Sequence, residues 1–285
     1  MTIREKIDKI HEMEKEREVL IRESKTVEEV ALLKKMLEYT IDVYGQDSNS
    51  TIKMLNELGG TSKYIGEYDT GIHALTQARG IIENKFGKES IAYATTTLNL
   101  AEVLRFKGDI DKLEVLYKEV LAIYDKYGIK DRYEYASVCN NLGLYYQDTN
   151  QMDKAIKLHL ISLEILKKLP EYKIALATTY NNMAIAYRGL GEDEKSDECI
   201  KTCLSIYEKE VGKGHAMYSA AINNLAVAFY NQGKLEKALE LFKKVLFICE
   251  ASFGRGSVNY EKVKQNVDMV EETIEMRKKK WREKI

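Results

Sequence analysis

The chain of 285 residues carries 44 basic and 45 acidic side chains, which gives a formal net charge of −1. Proteins that bind duplex nucleic acid usually carry a basic excess on one face, so this balance predicts no nucleic-acid partner. Pro170 is the only proline, which is typical of long uninterrupted helices. No run approaches the roughly 20 apolar residues of a membrane span, so no membrane partner is expected.

Four cysteines fall inside segments of helical periodicity and lack the spacing of a disulfide scaffold. The first residues, MTIREKIDKIHEMEKE, are charged and lack the apolar core of a signal peptide. Both features predict a location in the reducing cytoplasm. Cys199 and Cys203 are one helical turn apart, but two ligands do not make a zinc site. We therefore expect buried thiols and no metal or other cofactor.

The N-terminal segment, 1–48, is predicted to form a helical cap and a degenerate repeat. Thr2 with Glu5 and Thr26 with Glu29 have the spacing of capping boxes. In a capping box the threonine and the acidic side chain each satisfy a free backbone N–H at the start of a helix. Two helices are therefore expected to begin at these threonines.

Glycines recur along the next segment, 49–256, at a nearly constant distance. One set returns every 41 or 42 residues, and a second set lies about half a unit away. The sets are Gly45, Gly87, Gly128, Pro170, Gly212 and Gly254, and Gly66, Gly108, Asn150, Gly191 and Gly233. Glycine, and less readily asparagine, tolerates the left-handed conformation that ends a helix. The segment is therefore predicted to hold five helix–turn–helix units of about 42 residues.

Apolar residues between these marks follow a helical period. In the last unit they lie at i, i+3 and i+4 spacings, which place them on one face of each helix. They are Leu225, Ala226 and Phe229 on the first helix, and Ala238, Phe242 and Val245 on the second. The last segment, 257–285, is predicted to be one capping helix, since a stack of repeats needs a polar end. About thirteen helices are expected in all.

The units share a pattern that resembles the tetratricopeptide repeat: Leu, then Gly or Ala, then two variable residues and Tyr, followed further on by Gly and by Ala. The segment closest to this pattern is NNLAVAFYNQGKLEKALELFKKVL at 223–246. The period alone also admits HEAT-like repeats, but the Gly/Ala and Tyr positions favour the tetratricopeptide. The length of about 42 residues is similar to that of kinesin light chain repeats, and the resemblance covers about 26–254. It implies an all-α, right-handed α-solenoid whose first helices line a concave groove.

Paired asparagines precede the apolar run of several first helices, as in VCNNLGLYY, YNNMAIAY and INNLAVAF. They fall one residue before the packed Leu or Met (Asn99, Asn141, Asn182, Asn224) or two before it (Asn56, Asn140, Asn181, Asn223). A side-chain amide offers a donor and an acceptor side by side, the complement of a peptide unit. The resemblance implies that asparagines here hold a ligand backbone. The alternatives are that they bridge neighbouring first helices and fix the register, or do both.

Four further side chains are expected on the same face, about one helical turn beyond the asparagines: Lys63, Arg105, Arg188 and Tyr230. The three cations would grip an acidic side chain or a terminal carboxylate. The sequence lacks the full basic cluster of the carboxylate clamp known in chaperone-binding relatives. An ordinary solvated face is the alternative for each residue taken alone.

We therefore predict a non-catalytic scaffold that binds an extended peptide or a partner segment in the groove. One alternative is an intracellular receptor for a small signalling peptide, although such receptors usually carry an additional N-terminal effector, and only one or two helices are expected here. An enzyme is the least favoured alternative, because no Ser/His/Asp or Cys/His set shares a site and the four histidines are scattered.

Overall fold

A computed structural model describes residues 1–23, 25–255 and 257–282. These residues form thirteen α-helices and two short 3-10 turns, with no β-strand among them. The predicted all-α repeat fold is confirmed. None of the helices in the described ranges is both long and apolar enough to cross a bilayer.

The chain forms two compact units, Met1–Tyr145 and Tyr146–Ile285. In the first unit each helix packs against the next along the chain from α1 to α6, and α3 also contacts α5. Its helices are α1 (Ile3–Arg22), α2 (Thr26–Tyr44), α3 (Asn49–Ser62), α4 (Tyr68–Phe86), α5 (Ile91–Lys107), α6 (Leu113–Lys126) and most of α7 (Tyr133–Asp148).

The second unit has the same arrangement. Each helix packs against its successor from α8 to α13, and α9 contacts α11. The helices are α8 (Met152–Leu166), α9 (Lys173–Gly189), α10 (Asp193–Glu210), α11 (Ala216–Asn231), α12 (Leu235–Phe253) and α13 (Val258–Arg282). Thus α13 covers most of the predicted C-terminal cap, and residues 283–285 of that cap lie outside the described part of the chain.

Residues with a positive φ follow the helices at the positions that the recurring glycines predict. Every glycine of the two sets has a positive φ, and Asn150, with φ of 58°, is the only other residue that does so in the described part of the chain. Pro170 cannot adopt this conformation and opens a 3-10 turn at Pro170–Tyr172 instead. The 42-residue period is therefore a period of backbone reversals.

Small residues let the two helices of each unit pack closely. Ala101, Ala184 and Ala226 are completely buried. Gly59 takes the equivalent place in α3, where a Cβ atom would lie 2.4 Å from Cγ of Leu75 on α4. Larger side chains such as Leu75 fill the space beside these contacts.

One of the two predicted capping boxes is present. Thr2 and Glu5 cap α1 reciprocally, as expected. The second prediction is wrong, because α2 begins at Thr26 with Lys25 as its cap residue and has no side-chain cap. Glu29 instead accepts a hydrogen bond from Nε of Arg17 on α1 at 3.0 Å. A partly buried ion pair between α1 and α2 has replaced a local contact within one helix.

Candidate functional site

The predicted asparagines lie on the first helix of each repeat. Asn56 is on α3, Asn99 on α5, Asn140 and Asn141 on α7, Asn181 and Asn182 on α9, and Asn223 and Asn224 on α11. All are half-buried except Asn182, which is buried. Their positions follow from the repeat, because each lies one or two residues before the apolar residue that the repeat places on the packed face of its helix.

In the first unit the asparagines link neighbouring first helices. Nδ2 of Asn99 donates to Oδ1 of Asn56 at 3.3 Å. The same bond is impossible one repeat later, because Leu98 stands where an acceptor asparagine would be. Nδ2 of Asn141 instead donates to Oε1 of Glu102 on α5 at 2.8 Å. Glu102 lies about one turn after Asn99, on the helix face that the sequence also predicts for Arg105.

In the second unit the same bridge recurs. Nδ2 of Asn224 donates to Oδ1 of Asn181 at 2.9 Å. As in the first unit, the donor belongs to the later repeat and is 43 residues from its acceptor. Asn182 is placed differently, since it is 5% exposed and its carbonyl oxygen accepts from Nε2 of Gln147 at 2.7 Å.

These bridges use only part of each amide. Asn99, Asn141 and Asn224 each donate one N–H, while Oδ1 of each has no hydrogen-bond partner among the described residues. An amide nitrogen carries two hydrogens, so a second N–H is also available. The bridge fixes the side chain and leaves a C=O and an N–H for another molecule.

The predicted cation Lys63 is not exposed to a ligand. It is 9% exposed and forms an ion pair with Glu102, the carboxylate that also holds Asn141. Its ammonium group lies 5.0 Å from the ring centre of Tyr64 and 5.7 Å from that of Phe106. Lys63, Glu102 and Asn141 are thus brought together as one structural cluster.

The other predicted groups are dispersed. The guanidinium of Arg105 lies 5.3 Å from the ring centre of Phe106. Arg188 donates to Oγ of Ser196 at 3.4 Å and has no ion pair in the described ranges, and desolvation lowers its pKa. Tyr230 is half-buried and packs beside the apolar cluster of α11, α12 and α13. Arg188 is therefore the best placed of the three predicted cations to bind an acidic group.

A pocket of about 390 Å³ lies between α11, α12 and α13. Asn223 and Asn224 line it together with Asn266 and Lys262 of α13, and Val245, Val263 and Cys249 contribute to its apolar wall. Sequence reasoning missed the two α13 residues, although Asn266 follows Asn224 by the repeat length of 42 residues. This spacing could have identified Asn266 as a candidate from the sequence alone.

The remaining candidate groups are core residues. Burial raises the pKa of Cys139 and Cys203 to about 12 and that of Cys199 to about 11, so these thiols are poor nucleophiles. His159 is fully buried, and Nε2 of Gln147 lies 2.9 Å from its Nε2. No three His, Cys, Asp or Glu side chains converge as metal ligands would within the described parts of the chain.

The tetratricopeptide repeat family matches residues 50–126, 93–168, 134–209 and 175–251. The chain belongs to the tetratricopeptide repeat family. The predicted kinesin light chain-like repeat type is confirmed, and repeats of this family indicate a protein–protein interaction scaffold. No curated protein matches the chain.

Solved structures share the fold at low sequence identity. The nearly identical kinesin light chain TPR-like repeats of Podosopora anserina are 21% identical, with 72% of this chain and 97% of that chain covered and a TM-score of 0.56. BtubC (BKLC) from P. vanneervenii is 20% identical, with 74% and 91% covered and a TM-score of 0.59. The apo form of RapI is 12% identical, with 95% and 99% covered and a TM-score of 0.61.

Proposed function

We propose that this tetratricopeptide protein is a non-catalytic scaffold that binds an extended peptide segment of a partner along its asparagine-bearing first helices. The observation that carries the proposal is the repeated geometry of Asn99, Asn141 and Asn224. Each side chain is held through Nδ2 by the preceding first helix and keeps Oδ1 without a partner in the described part of the chain.

An amide fixed in this way suits a peptide backbone. The free Oδ1 accepts a backbone N–H and the second N–H donates to a backbone carbonyl, so the ligand's sequence is not read. The bridge also removes rotamer freedom before binding, which lowers the entropic cost of ordering the side chain. Bridging and ligand binding are therefore compatible roles of the same asparagine.

The energies fit a modest affinity. Each hydrogen bond contributes about 0.5 to 1.5 kcal/mol net, so one such bond at each of the three asparagines contributes roughly 2 to 4 kcal/mol in all. Micromolar binding requires about 8 kcal/mol, so apolar pockets and ion pairs must supply the remainder. Arg188, which has no ion pair with a described residue, is the group we expect to bind an acidic ligand residue.

The test is to select short peptides from a phage-displayed library on the full chain and to measure their affinity by fluorescence anisotropy. The triple variant Asn99→Ala, Asn141→Ala, Asn224→Ala is expected to bind about 30-fold more weakly or worse, which corresponds to a loss of about 2 kcal/mol. Failure to select any peptide above background contradicts the proposal.

The matched control is the double variant Asn56→Ala, Asn181→Ala. It removes the acceptors of two bridges but keeps the amides of Asn99 and Asn224. We expect a lower melting temperature with a much smaller loss of affinity than in the triple variant. If affinity falls in proportion to melting temperature in both variants, the asparagines only bridge helices.

A further inference from the structure

Helix α13 continues the repeat in register as a first helix. Ser257, Tyr260 and Asn266 follow His215, Tyr218 and Asn224 of α11 by 42 residues each. Both helices are also capped alike. The side chain of Ser257 accepts from the backbone N–H of Tyr260 at 3.2 Å, and that of His215 accepts from the N–H of Met217 at 3.2 Å.

The register predicts one more bridge, from Asn266 to Asn223. In the bridges already described the donor of the later repeat reaches the acceptor of the earlier one, and Asn223 stands where Asn56 and Asn181 stand. This bridge is not made. Among the described residues, Oδ1 of Asn223 is buried without a hydrogen-bond partner and Asn266 makes no hydrogen bond.

The missing bridge coincides with the pocket between α11, α12 and α13. Asn223 and Asn266 both line it, and its volume of about 390 Å³ holds a side chain together with the backbone next to it. Ala220, Val245 and Val263 supply apolar wall. Lys262 also lines it, and this exposed lysine forms no ion pair within the described ranges. Burial of the unpaired Oδ1 of Asn223 lowers the free energy of unfolding. A hydrogen-bond donor on a bound ligand offsets this cost.

We propose that this pocket is the anchoring subsite for the peptide, a proposal that rests on the proposed function. One peptide unit of the ligand takes the place of the missing bridge. On binding, the side chain of Asn223 turns its buried Oδ1 towards the pocket, so that the ligand N–H donates to it, and the ligand C=O accepts from Nδ2 of Asn266. An apolar side chain of the ligand packs against Val245 and Val263, and an acidic ligand residue beside it forms an ion pair with Lys262.

The experiment compares Asn223→Leu with its matched control Asn181→Leu, the same position one repeat earlier. Peptides selected on the full chain are the probe. Asn223→Leu removes an acceptor that no described residue satisfies, so the melting temperature of the free protein is expected to stay or rise while affinity falls about tenfold or more. Asn181→Leu breaks an existing bridge, so its melting temperature is expected to fall.

Peptides methylated at one backbone nitrogen at a time identify the bond directly. Methylation at one position is expected to weaken binding about tenfold in the wild type and not at all in Asn223→Leu. The variant Asn266→Ala, which keeps Asn223 intact, repeats the affinity measurement if Asn223→Leu does not fold. Asn266→Ala is expected to lose affinity without a lower melting temperature.

The outcomes separate the two proposals. If peptides lose affinity in the Asn99, Asn141, Asn224 variant but bind Asn223→Leu and Asn266→Ala normally, the subsite is wrong and the proposed function stands. If no peptide binds the full chain, both are wrong. If sedimentation shows concentration-dependent self-association that Asn223→Leu abolishes, a second copy occupies the pocket and the peptide subsite is overturned.

Discussion

The two units share the asparagine bridge but differ in their less exposed polar contacts between helices. In the first unit these contacts include ion pairs, from Arg17 to Glu29 at 3.0 Å and to Glu57, and from Lys63 to Glu102.

In the second unit the ion pairs between helices, Lys173 with Glu210 and Lys243 with Glu271, are more exposed. Its less exposed contacts use amide, imidazole and hydroxyl groups. Gln147 lies against His159, and among the described residues Arg188 donates to the hydroxyl of Ser196 alone.

The comparison shows what the repeat constrains. Backbone reversals and small residues recur because they decide whether two helices can pack. The polar groups between helices vary because a repeat position requires only that a buried donor meets an acceptor, whatever its charge. The first unit is therefore expected to depend on pairs of opposite charge, and the second on groups that are stable when desolvated and neutral.

The largest expected effect is that of Glu102→Ala. This variant leaves the buried ammonium group of Lys63 without its partner and also removes the acceptor of Asn141. Breaking a buried pair on one side typically costs about 3 to 5 kcal/mol, so urea denaturation followed by circular dichroism should show a loss of this size.

The control for Glu102 is Glu89→Ala, which breaks the exposed pair with Lys126. Its denaturation midpoint is expected to stay close to that of the wild type. Equal midpoints for Glu102→Ala and the wild type would show that the first unit does not depend on its ionic contacts.

Acid is expected to affect the second unit first, through His159. Burial lowers the pKa of His159 from 6.5 to about 4, so the folded state holds the neutral imidazole while the unfolded state takes up a proton near pH 6.5. The resulting stability is fully present above pH 6.5 and is lost as the pH falls towards 4. The loss amounts to about 3 kcal/mol at pH 4.

Hydrogen exchange measured by mass spectrometry between pH 6.5 and 4.5 checks this, with corrections for the intrinsic rates. Protection should fall in α8 and α9 before it falls in α3 to α5. The variant His159→Phe, which places an aromatic where Tyr117 and Phe242 stand in other repeats, should remove that difference. Equal pH dependence in the wild type and His159→Phe would contradict the assignment.

A smaller effect is expected from the two cations. Lys63→Met leaves Glu102 without its ion-pair partner, so it should lower the free energy of unfolding. Arg188→Met removes a desolvated guanidinium that has no carboxylate partner among the described residues, so stability should change by no more than about 0.5 kcal/mol or rise. Urea denaturation of both variants is the measurement, and a similar loss in both would refute the difference between the units.

The smallest effect is expected at Asn150. Its φ of 58° favours glycine, so Asn150→Gly should raise stability by about 0.5 kcal/mol. The reverse change Gly191→Asn, at the equivalent turn one repeat later with φ of 75°, should lower stability by a similar amount. Melting temperatures that move in the same direction for both variants would be inconsistent with backbone strain as the cause.

The repeat itself could be predicted from the sequence. The recurring glycines and Asn150 are favoured at these positions by their own backbone conformation and not by a distant partner. Their spacing alone therefore predicted where the helices end. The alanines at 101, 184 and 226 recur with the repeat and lie where the two helices of a unit pack closely. The positions of the asparagines on the first helices followed from the same register.

Contacts between distant residues were harder to predict. Gln147 lies against the buried His159 on the next helix. Lys63 was expected to meet a ligand and is buried by an ion pair with a residue 39 positions away. Both side chains are long enough to turn inward, and the partner that attracts them lies on another helix. Helical periodicity contains no information about that partner.

The asparagine bridges have a direction that bears on how such an array changes length. Each first helix can carry a donor and an acceptor at adjacent positions. The donor serves the preceding first helix and the acceptor the following one, and each bridge joins residues 43 positions apart. A duplicated or deleted segment of 42 residues that begins and ends between asparagine pairs therefore brings a matching donor and acceptor to the new junction. The number of repeats can then change through unequal recombination without leaving an unpaired asparagine between neighbouring first helices.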